Sequence, residues 1–343
     1  MVKQSFNVGS LMYDSLGMNG RKIRAAGDMR ERKTMTQSEI FQGKIPEFLR
    51  EKLLGQYGED LVDRIIKGYE REKPVTLRVN ELRVDKELVI KVLASEHIGY
   101  RPVTWSESAL IIEQGIREPR LKALEIYKTG SIYLQSLSSM IPPLILAPKP
   151  GESVLDMAAA PGGKTTQMAV LSQNMASITA CEKNKIRAER LQYNIEKQGA
   201  TRVCVMIIDA RRLDDFFSFD KILLDAPCTG SGTLDMCHRD VKERFNQSVL
   251  KRSARLQEEL LVKGLKLLKP GHEMIYSTCS ILEEENEAVV RGALKKVKAE
   301  VIPIELEAFF EVPMLPVGIK GTLCVCPNDQ YEGFFLARLR RKK

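Results

Sequence analysis

The sequence predicts an α/β protein whose larger part is a doubly wound, mostly parallel sheet, and three observations carry that prediction. Strand-like and helix-like segments alternate at nearly regular spacing between residues 153 and 277. An apolar strand, Ser153-Val-Leu-Asp156, runs through Met-Ala-Ala-Ala-Pro into Gly162-Gly163 and then a helix. Two cysteines each close a further strand, Cys228 after Lys221-Ile-Leu-Leu-Asp-Ala-Pro and Cys279 after Met274-Ile-Tyr-Ser-Thr. Repeated strand–helix alternation requires crossover connections, and crossovers make parallel neighbours.

The elements follow in order. Residues 1–35 mix Gly, Ser, Asn and charges without periodicity and hold seven basic residues against three acids, so they predict a mobile basic arm. A small α/β or α+β module is expected over 36–127. Ile45, Phe48, Leu49 and Leu53 share one helical face, and Leu61-Val-Asp-Arg-Ile-Ile66 continues it after Gly58. Val75 to Asn80 alternates like a half-buried strand, Lys86 to Ala94 reads as a helix and Ala109 to Ile112 as another strand. The larger domain is expected over 128–343. Its strands are predicted at 153–157, 177–181, 203–208, 220–225 and 273–277, with helices at 164–172, 184–198 and about 248–268. Gly333-Phe-Phe-Leu-Ala-Arg-Leu339 closes a hairpin with about 322–326.

Bulk properties narrow the function classes. The 343 residues carry 53 Lys and Arg against 45 Asp and Glu, a net charge of +8. That excess, concentrated in the arm and in Arg338 to Lys343, points to a polyanionic partner. No apolar run approaches the roughly 18–20 residues of a bilayer span. The N-terminus lacks a signal-peptide core, so the expected location is the cytoplasm, or the nucleus or nucleolus of a eukaryote. Seven cysteines, an odd number, do not form a disulfide framework.

Ligands of open α/β sheets bind beyond the carboxyl ends of the strands. Ala158-Ala159-Ala160-Pro161-Gly162-Gly163-Lys164-Thr165 sits there, with glycines that let backbone approach a ligand at a helix N-terminus. A phosphate-binding loop of the G-x-x-x-x-G-K-T type needs glycine where Ala158 stands, and no G-x-G-x-x-G is present. Glu182, Asp209 and Asp225 close the next three strands. A single such acid is commonly a helix cap. Three behind a glycine turn fit an adenosine and a methionine, which points to S-adenosyl-L-methionine.

Two thiols beside that pocket suit attack on an electrophilic ring carbon. Carbon 5 of cytosine becomes nucleophilic once a thiolate adds at carbon 6, and the ring is restored by loss of the carbon 5 proton and of the thiol. A free thiol is only a few per cent thiolate at neutral pH, so Lys164 and the cofactor's sulfonium are expected to supply a positive field. Two buried core cysteines are the alternative for Cys228 and Cys279.

Asp225-Ala-Pro-Cys-Thr-Gly-Ser-Gly-Thr233, Tyr276-Ser-Thr-Cys-Ser280 with Glu284-Glu-Asn-Glu287, and Ala158 to Thr165 together resemble the Sun/Fmu (Nop/Sun) family of RNA cytosine-5 methyltransferases. The resemblance covers about residues 75–343. It implies a seven-stranded, Rossmann-like, S-adenosylmethionine-dependent catalytic domain, a small RNA-binding module around Leu77-Arg-Val-Asn80, and a ribosomal or transfer RNA substrate. It further implies that Cys279 is the nucleophile, that Cys228 assists product release, and that Asp225 contacts the target base. Glu182 and Asp209 would hold the adenosine, with Arg187 near the ribose. Thr229 stands where Ser is commoner in the family. A cytosine-5 methyltransferase of DNA shares the chemistry, and a non-catalytic RNA-binding assembly factor could share the fold; both stay open here. A monomer is expected.

Other signals carry less. Cys324-Val-Cys326 lacks a second ligand pair and reads as a strand with both thiols on one face, so no metal is expected. Cys181 and Cys204 are expected in the core, Cys237-His238 in a loop, and Trp105 in the packing of the small module. His97 and His272 join no constellation. If the arm adds affinity without choosing sequence, deleting residues 1–35 lowers the slope of RNA affinity against salt concentration. An unchanged slope in filter-binding titrations removes that role.

Overall fold

The computed structural model describes residues 45–236 and 245–343; the basic arm and Cys237-His238 lie outside the described residues. Among the described residues no helix is long and apolar enough to cross a membrane. The first element is a long helix, α1 (Glu47–Tyr69), kinked at Gly58, whose φ of 74° only glycine adopts readily. There follow β1 (Thr76–Val79), α2 (Lys86–Ser95), β2 (Tyr100–Val103), β3 (Ser106–Ile112), short helices α3 (Glu118–Ala123) and α4 (Glu125–Lys128), and β4 (Ile132–Leu134).

These four strands form one antiparallel sheet in the order β2-β3-β1-β4. With the helices between them this is the β-α-β-β-α-β arrangement of ferredoxin-like modules. Leu77, Val79, Leu93, Ile112 and Ile132 fill its own core. The division expected after residue 127 precedes its last strand, because β4 pairs with β1 and sets Leu134 opposite Leu77. β1 is not half-buried as its alternation predicts: all four residues are buried. Its second face meets the larger domain, where Arg78 Nη2 donates to Thr166 Oγ1 at 3.2 Å and Nε to Gln135 Oε1 at 3.4 Å.

The larger domain runs α5 (Leu137–Leu146), β5 (Ser153–Asp156), α6 (Gly163–Leu171), β6 (Ser177–Cys181), α7 (Lys185–Gln198), β7 (Val203–Met206) and β8 (Phe219–Asp225). It continues with α8 (Gln247–Leu267), β9 (Leu268–Thr278), α9 (Glu287–Lys296), β10 (Ala299–Ile302), β11 (Met314–Leu315), β12 (Leu323–Val325) and β13 (Phe334–Arg341). The sheet has nine strands rather than the seven expected, in the order β11-β12-β13-β9-β8-β5-β6-β7, with β10 paired to β13. β5 to β9 are mutually parallel. The additions come from the chain's end, where β13 returns antiparallel against β9 and recruits β12, β11 and β10. Strand order reverses between β5 and β8, so the ligand crevice opens there.

Helix α1 does not pack on the small sheet as the sequence suggests. Leu49, Leu53, Ile65 and Tyr69 enter one core with Ile222, Leu224 and Tyr276 of the large sheet. Tyr57 Oη donates to Ile281 O at 2.6 Å and Tyr69 Oη to Ser231 O at 2.5 Å, so the helix buttresses the loops that follow both thiols. Cys324 and Cys326 lie in this same core while Leu323 and Val325 face the opposite one, as the alternation predicts. Cys181 is buried, but Cys204 is exposed because β7 is the terminal strand of the sheet. Trp105 also departs from expectation. Its Nε1 donates to Tyr331 Oη at 2.9 Å and its ring lies 5.8 Å from that of Phe309, fastening the β2–β3 hairpin to the larger domain.

Gly68 tests the docking of α1. In an isolated helix Gly→Ala stabilises by about 1 kcal/mol, but a Cβ here would fall 2.1 Å from Pro327 O, a backbone atom that cannot swing aside. Gly68→Ala is expected to lower stability by about 1–3 kcal/mol in urea titrations, the cost of an overpacked contact. A gain in stability would mean that α1 does not sit where described.

Candidate active site

β5 delivers its last residue, Asp156, to the crevice, and the chain turns through Ala158–Gly162 into α6. Gly162 takes φ 110°, outside the range of ordinary side chains, so that Gly163 can start the helix with its amides facing the crevice. Gly163 is also pressed from outside: a Cβ there would stand 3.1 Å from Tyr133 Cε1. The resulting cavity of about 200 Å3 is walled by Ala158, Ala159, Ala160, Pro161, Gly163, Lys164, Asp156 and Asp225. Its opposite wall is Tyr133, Leu134, Gln135 and Ser136 from the end of β4, with Ser139 of α5.

Asp156 is the feature sequence reading passed over. Its side chain is buried, and Oδ2 accepts from Thr165 Oγ1 at 2.7 Å while Oδ1 has no hydrogen-bond partner. Burial raises its pKa to about 6, only partly opposed by the Thr165 hydrogen bond. A buried carboxylate oxygen without a donor is costly, and Asp156 is one of the residues walling the cavity.

The remaining adenosine candidates, Glu182, Arg187 and Asp209, are not among the residues walling this cavity. Glu182, buried at the end of β6, accepts from Asn184 N at 2.9 Å and pairs with Arg187 Nη1 at 3.2 Å. Arg187 Nη2 in turn donates to Ala160 O at 2.8 Å, tying α7 to the glycine turn. Asp209 faces Arg211, which meets both carboxylate oxygens through Nε at 3.0 Å and Nη2 at 2.6 Å. Those hydrogen bonds hold the Asp209 carboxyl below the usual carboxylate range.

Asp225, at the end of β8, joins the cavity to the thiols. Oδ2 accepts from Lys164 Nζ at 2.6 Å and Oδ1 from Ser277 Oγ at 2.8 Å. Lys164 Nζ also donates to Ser139 Oγ at 2.8 Å and lies 5.4 Å from the centre of the Phe334 ring. The positive field that the sequence assigns to Lys164 is therefore matched locally by Asp225.

The two sulfurs meet beyond this pair. Cys228 Sγ and Cys279 Sγ are 3.0 Å apart, and both residues are half-buried. The hydrogen bond to Cys279 and then burial push the Cys228 thiol well above the ordinary range, with the charges of Cys279 and Glu285 adding to the effect. The run Glu284-Glu-Asn-Glu287, quoted above only as a motif, supplies the supports of both loops: Glu285 accepts from Thr229 N, and Asn286 donates to Ser280 O. Among the described residues no cluster of three His, Cys, Asp or Glu could hold a metal. A sulfur pair in contact and an ion-paired carboxylate beside a small-ligand cavity constitute equipment for nucleophilic addition and proton transfer.

Comparison with known proteins places this arrangement. Residues 143–340 match the model of the family described as 16S rRNA methyltransferase RsmB/F, and residues 45–117 match the ferredoxin-like domain of RsmF/B-like methyltransferases. The chain is 32% identical over 311 residues to a 25S rRNA (cytosine-C(5))-methyltransferase of Schizosaccharomyces pombe, covering 86% of this chain and 50% of that protein. It is 34% identical over 280 residues to a tRNA (cytosine(49)-C(5))-methyltransferase of Pyrococcus abyssi, covering 78% and 88% of the two. A methyltransferase homologue from Pyrococcus horikoshii superposes with a TM-score of 0.72 at 32% identity, over 87% of this chain and 100% of the other. NSun6 from Pyrococcus horikoshii, solved with SFG, gives 0.76 at 25% identity over 87% and 98%. The chain spans about half the length of the fission-yeast relative. On the match across its larger domain, joined to the module ahead of it, the chain belongs to the RsmB/F methyltransferase family, the Sun/Fmu (Nop/Sun) group that its cysteine motifs resemble.

Proposed function

We propose that the chain methylates carbon 5 of cytosine in structured RNA, with S-adenosyl-L-methionine as methyl donor, and the 3.0 Å contact of the two sulfurs beside the crevice carries this reading. The cavity suits the cofactor. Asp156, in the cavity wall, would meet the ammonium of the methionine end, and the N-terminus of α6 would favour its carboxylate. Glu182, paired with Arg187, would accept from ribose hydroxyls. Asp209, turned toward Arg211, would have to exchange that partner to reach the adenine. When bound, the cofactor supplies an electrophilic methyl group.

The chain's own residues do the rest. Cys279 adds as thiolate to carbon 6, its proton having left to solvent, and the ring's electron pair moves toward carbon 5. Asp225, fixed by Lys164 and Ser277, is oriented to hold the base edge. Once Cys279 carries the ring as a neutral thioether, its hydrogen bond and its charge no longer act on Cys228, while burial and Glu285 still do. Cys228 can then release its proton and accept the one from carbon 5. The carbon 5–hydrogen electrons form the double bond as the sulfur–carbon 6 bond breaks, and the pair returns to Cys279. Cys279 as nucleophile and Cys228 as release group is the division that the motif resemblance implies, and the 3.0 Å contact of the sulfurs is consistent with it.

The RNA reading is supported by the seam between the two domains. A cavity of about 1150 Å3 between α1 and the β2–β3 hairpin carries Arg64, Lys67, Arg71 and Arg101 among its lining, with Glu70, Glu72, Glu113 and Asp329 interspersed. Arg71, Gln114 and Gln330 also line a second cavity of about 610 Å3, which shares Leu134, Gln135 and Ser136 with the cofactor wall. Backbone phosphates suit such cations.

Two experiments test this reading. Cys279→Ala is expected to abolish methyl transfer and covalent adduct, whereas Cys228→Ala accumulates a protein–RNA adduct that survives denaturing gels; an adduct in the Cys279 variant would reverse the assignment. Parallel incubation with DNA of matched sequence is expected to yield no product. The second concerns pH. The folded-state pKa of Asp156, raised to about 6, means its ionisation opposes folding: stability from the protonated form is present below its unfolded value and lost as pH rises through 6. A cationic ligand reverses that cost. Calorimetric affinity for S-adenosylmethionine should therefore strengthen as pH rises from about 5 to about 7, by up to about tenfold, and Asp156→Asn should flatten the dependence. An unchanged pH slope in that variant would remove Asp156 from the site.

A further inference from the structure

Glu285 and Asn286 are consecutive, yet each grips a different thiol-bearing loop. Glu285 is fully buried. Its Oε1 accepts from Thr229 N at 2.8 Å and its Oε2 from Thr229 Oγ1 at 2.5 Å, both on the residue after Cys228. Gln257 of α8 braces the same turn from the other side, its Nε2 donating to Glu285 Oε1 at 3.1 Å and to Pro227 O at 2.9 Å. Asn286, equally buried, works on the other loop. Its Oδ1 accepts from Thr278 Oγ1 at 2.5 Å and its Nδ2 donates to Ser280 O at 2.9 Å, the residues on either side of Cys279.

We propose, resting on the function argued above, that this two-residue clamp sets the sulfur separation and divides the reaction: Glu285 is the positioning residue for Cys228 and product release, Asn286 the positioning residue for Cys279 and adduct formation. Three considerations support it. Because the two residues are adjacent on one turn, any shift of that turn changes both loops together, which makes the sulfur–sulfur distance a property of the clamp. Glu285 is a buried carboxylate bonded to a backbone amide, a hydroxyl and a side-chain amide, an arrangement that a neutral glutamine could largely satisfy at lower desolvation cost. Glutamine would also lack the charge, a lesser contributor to the raised Cys228 pKa. Finally, Tyr276 Oη donates to Glu285 O, so the strand carrying Cys279 is itself fastened to the residue that holds the Cys228 loop.

The test compares Glu285→Gln, Asn286→Ala, Cys228→Ala and the unaltered protein, each with substrate RNA and S-adenosylmethionine, by single-turnover methyl transfer, multiple turnover and denaturing gel, with thermal melting alongside. For Glu285→Gln the expected result is a first turnover within about threefold of normal, an accumulated adduct, and multiple turnover lowered about tenfold or more. For Asn286→Ala the first turnover itself should fall about tenfold, without accumulated adduct. Opposite signatures are the point, because general loosening of the fold lowers both steps in both variants. Parallel losses that track the melting temperatures overturn the clamp, as does a Glu285→Gln protein without adduct under conditions where Cys228→Ala traps one. If Cys228→Ala never becomes covalently attached to RNA, the functional reading itself fails and takes the clamp with it.

Discussion

The parallel pairing of β8 with β9 is the constraint from which the site follows. It sets Asp225 opposite Ser277, so two strands remote in sequence end level with each other on one rim of the sheet. Cys228 lies three residues beyond the first and Cys279 two beyond the second, and the loops bring their sulfurs to 3.0 Å. The same register lets Ser277 donate to the carboxylate whose other oxygen takes Lys164. A slip of one residue would turn one of these groups to the opposite face of the sheet and dismantle the arrangement.

Everything around that rim is fastening. β13 lies antiparallel along β9 and holds it from the far side, and α1 packs beneath, its tyrosines accepted by carbonyls of the loops beyond both thiols. Glu285 and Asn286 close the arrangement from the end of the sheet. From the opposite direction the small module reaches in through β4, whose last residues become a second wall of the cavity at the glycine turn. Arg78, a buried cation on the neighbouring β1, links that wall to α6, the helix that opens at the glycine turn. The two domains therefore share one crevice.

Much of this was legible in the sequence because local patterns and global fold agree. The alternation of elements between residues 153 and 277, the glycine turn, and the two strand-end cysteines each specify a position that the fold then supplies. What escaped reading depends on contacts between distant segments. The apolar stripe of α1 is the same whether it packs on the small sheet or the large one; only the carbonyls near Ile281 and Ser231 decide. Alternation in Thr76–Val79 cannot reveal that a second domain covers the polar face. Asp156 resembled an ordinary strand-end acid until its unpartnered oxygen and its place in the cavity wall were seen, and Glu285 and Asn286 were an anonymous acidic run until their partners were known. Cys204 was misplaced because composition marks a strand as apolar without saying that it is the last one.

The most direct measurement is the site of covalent attachment in RNA carrying 5-fluorocytosine. Fluorine cannot leave carbon 5 as a proton does, so the unaltered protein should stop at the methylated adduct and remain bound to the ring. Proteolysis and mass spectrometry of that complex should find the modified base on the peptide containing Cys279. Attachment at Cys228, or no attachment while ordinary RNA is methylated, would contradict the account.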